Sequence, residues 1–206
     1  MDLTAIFESW LMGDGNYPAL HRHQHVRLSF ELQARRLEPK ADTTPLRLTH
    51  AGHARYAGRG RVLRRYGRAG EALAIIEASD LRFYVHGPDA DKLALGARVE
   101  FEGTLLLDHY MWVEFLEGYR DPPNLFYNLR VTRIRKVEIP ERFVRRGAKQ
   151  ALSYPTTVPP EDFGHVEDLE TMEGQEFTLE FYVIDFSSDG LEGVEVPRTF
   201  HDVKAS

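Results

Sequence analysis

The sequence predicts a mainly β protein: a small antiparallel barrel with a short N-terminal helix and an irregular acidic C-terminal extension. Three observations carry that prediction. Between Arg55 and Glu117, five short segments alternate apolar and polar residues, which is the two-residue period of a strand. The links between them are short and rich in turn residues, so neighbours in sequence are expected to pair. Charge is sorted by position: residues 1–150 carry 24 Lys+Arg against 19 Asp+Glu, and residues 151–206 carry 2 against 13, together the chain's −6. Residues 1–150 are therefore read as the barrel domain with its helix. Residues 151–206 are read as an acidic, proline-containing segment that ends in a strand packed on the barrel.

Taken in order, Asp2 is placed to cap a helix over residues 2–12, with Leu3, Ile6, Phe7, Trp10 and Leu11 at helical spacing. Gly13 to Pro18 is turn-forming and ends it. His25–Leu32 alternates as a strand, and residues 38–46 read as a loop. Five strands follow: Arg55–Tyr66, Glu71–Ala78, Leu81–His86, Ala97–Leu107 and Met111–Glu117. Gly67–Gly70, Ser79-Asp80 and Asp108-His109 supply hairpin turns, and Gly87–Gly96 has room for one helical turn. After Pro122-Pro123, Tyr127–Ile139 alternates again. Pro140 opens a short basic helix through Leu152, residues 153–175 read as linker, and Gln175–Phe186 is a last strand. Both faces of that strand are apolar, so it is either buried on both sides or not a strand.

The order of three strands, a short helical link and two strands resembles an OB-fold barrel. The residues that carry the resemblance are Gly60-Arg61-Val62 and the run from Leu93 to Gly103, Leu-Ala-Leu-Gly-Ala-Arg-Val-Glu-Phe-Glu-Gly. That run is similar to the entry of the fourth OB strand. The resemblance covers residues 54–117. It implies a small barrel that binds through an exposed strand face, and the extra strand at Tyr127–Ile139 departs from a minimal OB domain.

At 206 residues the chain can bury one ample core. It has no cysteine, which excludes disulfides, thiolate metal sites and thiol nucleophiles. Met1-Asp2-Leu3-Thr4 has no basic region followed by an apolar run, and no stretch reaches 18 apolar residues, so a cytoplasmic protein with no membrane contact is expected. Arginine outnumbers lysine 21 to 5, a bias typical of GC-rich bacterial coding sequences.

From Pro45 to Gly70 there are seven arginines and no acid. In a strand, Arg55, Arg59, Arg61 and Arg65 fall on one face, and Tyr56, Val62 and Tyr66 on the other. Arg82, Tyr84 and His86 share a parity opposite Leu81, Phe83 and Val85. These seven residues, Arg55, Arg59, Arg61, Arg65, Arg82, Tyr84 and His86, form the expected binding face. Guanidinium groups meet carboxylate or phosphate and rings stack on bases, so an anionic protein surface and single-stranded nucleic acid are both admitted. The acidic stretch Glu161, Asp162, Glu167, Asp168, Glu170, Glu173, Glu176 and Glu180 is a competing partner in cis.

The resulting expectation is a non-catalytic binding module without a cofactor. Two alternatives stand beside it. His21, His23 and His25 would share one face of an extended strand, which makes a divalent-metal enzyme the first. Gly15 followed by His21-x-His23 resembles the opening of the first cupin motif, yet Arg27 and Leu28 stand where that family's glutamate belongs. The second is an immunity- or antitoxin-like protein that works through its acidic segment. There is no G-x-S-x-G elbow, H-E-x-x-H or Walker A loop, and Asp108, Glu114 and Glu117 near Trp112 read as a surface hairpin.

Overall fold

The structure, a computed structural model, describes residues 2–13, 17–41, 43–67, 72–108, 123–139, 145–146, 152–153, 163–174 and 180–188. In chain order its elements are β1 (Asp2–Glu8), α1 (Trp10–Gly13), β2 (His25–Leu28), β3 (Phe30–Lys40), β4 (Arg47–His50), β5 (Arg55–Tyr66), β6 (Leu73–Ala78), β7 (Leu81–His86), α2 (Pro88–Asp91), β8 (Arg98–Leu107), β9 (Tyr127–Glu138), β10 (Arg145–Arg146), β11 (Leu152–Ser153), β12 (Val166–Leu169) and β13 (Glu180–Ser187).

Five strands close a barrel in the order β5, β6, β7, β3, β8, with β8 returning to pair with β5. The β3–β7 contact is parallel and the other four are antiparallel. The expected meander therefore holds from β5 to β7, where Ser79-Asp80 makes a two-residue turn with Ser79 at φ 53°. It breaks after β7. The place between β7 and β8 is filled by β3, which comes from earlier in the chain. Met111–Glu117, expected as the fifth barrel strand, lies outside the described residues, as does the Asp108-His109 turn beyond Asp108.

β3 was expected to stop at Leu32, with loop from Glu38, yet it runs to Lys40. A register shift between Ala34 and Arg36 resets its parity, and its outer half carries Arg35, Arg36, Glu38 and Lys40. A bulge of this kind hides a strand from a period-2 reading. The N-terminus also differs from expectation: Asp2–Glu8 is a strand, and helix is confined to Trp10–Gly13. From Leu3 to Glu8 every residue of β1 is buried. A strand covered on both faces shows no alternation, so Leu3, Ile6 and Phe7 mimic helical spacing.

A second run of strands, β12, β9, β13 and β1, joins the barrel where Ile6 of β1 pairs in parallel with Leu106 of β8. β13 is the middle of this run, between β9 and β1, and Phe181, Tyr182, Val183, Ile184 and Phe186 are at most 1% exposed. Of the two readings of the last strand, burial on both sides is the one observed. β2 and β12 share one edge of β9. Val166–Leu169 is thus a strand inside the expected linker. Where a basic helix was expected, Arg145–Arg146 pairs antiparallel with Leu152–Ser153, and the rest of that helix lies outside the described residues. Among the described residues no helix is long and apolar enough to cross a membrane.

Inside the barrel, Tyr56, Val62, Ile76, Phe83, Val85, Val99 and Phe101 are buried together, with Phe83 edge-on to Phe101 at 5.2 Å. Gly58 and Gly60 face the same interior. A Cβ on Gly58 would strike Arg47 O and the Phe101 ring, and one on Gly60 would strike Ile76 Cγ2, so glycine lets β5 approach its neighbours. The outside of β6 and β7 is also covered: Ile75 and Tyr84 lie in a cluster with Tyr66, Leu73, Leu125 and Phe126.

Candidate functional site

Alternation along β5 turns Tyr56, Gly58, Gly60 and Val62 inward, and leaves Arg55 and Arg59 half-buried and Arg61 exposed on the outer wall. A register shift between Val62 and Arg64 then exposes both Arg64 and Arg65. Several arginines meet carboxylates from neighbouring barrel elements. Glu77 of β6 accepts from Arg61 at 2.8 Å and from Arg82 at 3.2 Å, and Asp91 of α2 lies 3.4 Å from Arg65. Further along the wall, Arg36 bonds Glu38 at 2.7 Å and Lys40 bonds Glu100 at 3.1 Å. The bond from Arg36 holds the Glu38 carboxyl down at about 2, and the bond from Lys40 lowers that of Glu100.

Register reveals cations that these carboxylates do not match. Arg47 of β4 stands directly opposite Arg59. Arg98 of β8 stands opposite Arg61 on one side and Lys40 on the other, which sets three cations abreast across β5, β8 and β3. Among the described residues the side chains of Arg47 and Arg98 make no hydrogen bond or ion pair, and Nη1 of Arg98 is buried without an acceptor. Sequence reasoning did not select Arg47, Arg98 or Lys40. Their parity within their own strands was readable, but which strand lies beside which was not.

Tyr84 does not join this wall, contrary to expectation. It is 1% exposed, because Leu125 and Phe126 cover the outside of β7. Its hydroxyl donates to Asp108 Oδ1 at 2.5 Å and lies 3.3 Å from Glu31 Oε2. Ser29 Oγ donates to the other Asp108 oxygen at 3.0 Å. At the rim, Nε2 of the exposed His86 meets Glu31 Oε1 at 2.8 Å. A continuous polar chain thus runs from solvent to a carboxylate 1% exposed. Burial, reinforced by Asp108, pushes the Tyr84 phenol well above its ordinary value, and the bond to Glu31 raises His86. The sequence reading placed Asp108 in a surface hairpin and did not join it to Glu31, because their pairing depends on β3 lying between β7 and β8.

The three histidines do not share a face. Arg22 and His23 form a turn, His23 has φ 69°, and the strand begins only at His25. His21 contacts Glu173 at 3.4 Å and His23 lies 3.3 Å from Arg130. Among the described residues no three His, Asp or Glu side chains are grouped to hold a metal. Gly15 of the cupin-like segment lies outside the described residues.

The acidic stretch meets different arginines from those expected. Asp168 takes both ends of Arg133 at 2.6 and 2.8 Å, Glu170 bonds Arg22 at 2.7 Å, and Asp185 bonds Arg135 at 2.6 Å. Glu161, Asp162 and Glu176 lie outside the described residues, as do Arg68, Trp112, Glu114 and Glu117. Arg55, Arg59, Arg61 and Arg82 remain on or beside the outer barrel wall, Arg65 sits at its end, and Tyr84 and His86 belong to the separate polar chain. No family model, curated protein or solved structure matches this chain.

Proposed function

We propose that the protein is a non-catalytic binding module that docks an acidic protein surface on the outer wall of β5, β8 and β3. The observation that carries this reading is the row Arg61, Arg98, Lys40, whose central guanidinium has no anionic partner among the described residues. Like charges directly opposite on a sheet are unfavourable, by about 0.2–1 kcal/mol for a pair such as Arg61 and Arg98. An incoming carboxylate relieves that repulsion.

An acidic protein fits better than a nucleic acid on two grounds. The tyrosines of the binding region, Tyr56, Tyr66 and Tyr84, are all buried, so among the described residues they offer bases no ring to stack on. Glu38, Glu77, Glu100 and Glu102 interrupt the cations, which suits a partner with discrete charges and opposes a continuous phosphate backbone.

The barrel is OB-like in this reading, with its closing strand moved to the front. A three-strand meander, a short helix and a returning strand support that description, and β3 supplies the fifth strand from earlier in the chain. OB-folds receive ligands on their second and third strands. Here the corresponding β6–β7 face is taken by the chain's own Leu125 and Phe126, and among the described residues the outward side chains of the β5–β8–β3 wall are mostly exposed or half-buried.

The test is a fluorescence anisotropy titration at low salt with labelled polyglutamate and with a labelled single-stranded oligonucleotide. Polyglutamate should bind, should weaken as salt rises, and should lose most of its affinity when Arg61 and Arg98 are both changed to Glu. Tighter binding of the oligonucleotide would transfer the wall to nucleic acid. No binding of either would remove the docking reading.

A further inference from the structure

Beside the cationic wall lies an open row of backbone groups. β4 forms a ladder only with β5, and it is one end of the strand path whose other end is β12. On one edge of β5, β4 takes residues 56–59 and β6 takes residues 61–66, so the two lie end to end. Arg47, Thr49 and His50 are exposed and Leu48 is half-buried. Among the described residues no strand pairs with the far side of β4.

The phase of the ladder decides which groups are open. Ala51 N–H donates to the Arg55 carbonyl at 2.8 Å. Bonded pairs alternate in an antiparallel ladder, so Thr49 with Ala57 and Arg47 with Arg59 are the next ones. The N–H and C=O groups of Leu48 and His50 therefore point away from β5. Among the described residues nothing pairs with them. Such an edge is a template for another strand.

The same alternation sorts the side chains. Leu48 packs against the barrel core and His50 stacks on Tyr56 at 5.1 Å, so both lie on the inner face. Arg47 and Thr49 fall on the outer face, with Arg47 opposite Arg59. The edge thus presents backbone donors and acceptors together with a cation that has no carboxylate among the described residues.

From this geometry we infer that the acidic partner docks as an extended segment, adding antiparallel to the free edge of β4 with a carboxylate opposite Arg47. This rests on the acidic-partner reading of the wall and names the form that the partner takes. The backbone groups supply the ladder and the side chains supply selectivity. β4 has only 4 residues, so the ladder is short and the cations of the adjoining wall help to hold it. Charge selects this occupant. A second β4 would bring another Arg47 to the same edge, and like charges on neighbouring strands are unfavourable. β12, at the other end of the path, carries Glu167 and Asp168 and repels an acidic segment. In the added strand, residues opposite Leu48 and His50 turn their N–H and C=O groups to β4. Residues opposite Arg47 and Thr49 turn theirs away and carry the acidic side chains on the outer face.

The experiment titrates the full chain, by fluorescence anisotropy at low salt, with a short labelled peptide alternating glutamate and threonine. Two derivatives of equal charge carry backbone N-methyl groups, one on its threonines and the other on its glutamates. Methylated threonines should weaken binding on the order of tenfold through the lost hydrogen bonds. Methylated glutamates should leave it unchanged. Arg47→Glu should weaken the unmodified peptide on the order of fivefold and favour a lysine–threonine peptide instead. Amide hydrogen exchange gives a second readout. Leu48 and His50 should exchange faster than Thr49 and Ala51 in the free chain, and the peptide should protect them. Equal affinity of the two methylated peptides, or no protection of Leu48 and His50, would overturn the inference. Slow exchange of both amides in the free chain would do the same, because a second copy or another segment would already hold the edge. Polyglutamate separates the two readings. If it binds through Arg61 and Arg98 while the methylated peptides bind alike, strand addition alone falls. If neither polyglutamate nor the alternating peptide binds, the docking wall falls with it.

Discussion

Two strands of this molecule are rich in arginine, and the fold treats them differently. On β9, Arg133 and Arg135 meet Asp168 and Asp185, both supplied by the acidic C-terminal stretch. On β5, the partners Glu77 and Asp91 come from the barrel itself, and Arg47 and Arg98 beside them meet no carboxylate among the described residues. An arginine-rich strand is thus neutral scaffold or cationic surface according to what register sets opposite it. Asp168 and Asp185 answer the arginines of β9, and the outer arginines of β5 have no counterpart from that stretch among the described residues.

The contrast breaks most visibly at Arg135. Its side chain is only 15% exposed, so Arg135→Ala strands Asp185 without its cation. A urea midpoint series should show a loss of about 1.5–3 kcal/mol, the range for hydrogen bonds to charged groups. A wild-type midpoint would mean that β9 is no better neutralised than β5.

The covered side of the barrel supplies a pH test. Glu31 raises the His86 pKa in the folded state, so the ion pair contributes fully below the unfolded value of ~6.5. That contribution is lost as pH rises through the higher folded value. His86 is half exposed, which limits the effect to about 1 kcal/mol or less. Stability should decline from pH ~6.5 upward in the wild type relative to His86→Gln. Identical pH profiles for the two proteins would show that His86 and Glu31 do not interact.

On the open wall the sign reverses. Arg98→Gln removes a cation that opposes another, so stability should rise by about 0.2–1 kcal/mol. A loss of more than that would mean that Arg98 is matched after all. An effect of similar size belongs to the exposed pair on β9. A double-mutant cycle on Arg133 and Asp168, 52% and 61% exposed, should return about 0.2–1 kcal/mol and shrink with salt.

Much of the barrel was legible because its strands keep their alternation. The spans of β5, β7, β8 and β9 were read within a residue or two, and of the residues read as inward Tyr56, Val62, Phe83 and Val85 are so, while Tyr66, beyond the register shift at Val62 and Arg64, packs in the outer cluster instead. What failed were strands without alternation. β1 is buried on both faces, and β3 changes parity at its bulge, so neither showed the pattern that a strand under a one-sided sheet must show. The site failed for a related reason. Arg59 and Arg61 were visible within one strand, but Arg98, Lys40 and the Glu31–Tyr84–Asp108 chain exist only through lateral neighbours. β3 decides those neighbours, and it was the strand misplaced.

The pairing of β1 with β13 also bears on how the chain acquires its structure. Leu3 lies opposite Phe186 and Phe7 opposite Tyr182, so one ladder joins the two ends of the described chain. β3 must likewise wait for β7 and β8 before either of its edges is filled. Contacts of such long sequence separation demand loop closure before they repay it, and they slow folding. On a ribosome, β1 emerges before the other described strands and stays unpaired along one edge until β13 arrives, an apolar strand exposed over that interval. Refolding should therefore be slow for a chain of this length, and most prone to aggregation when the last strand is late.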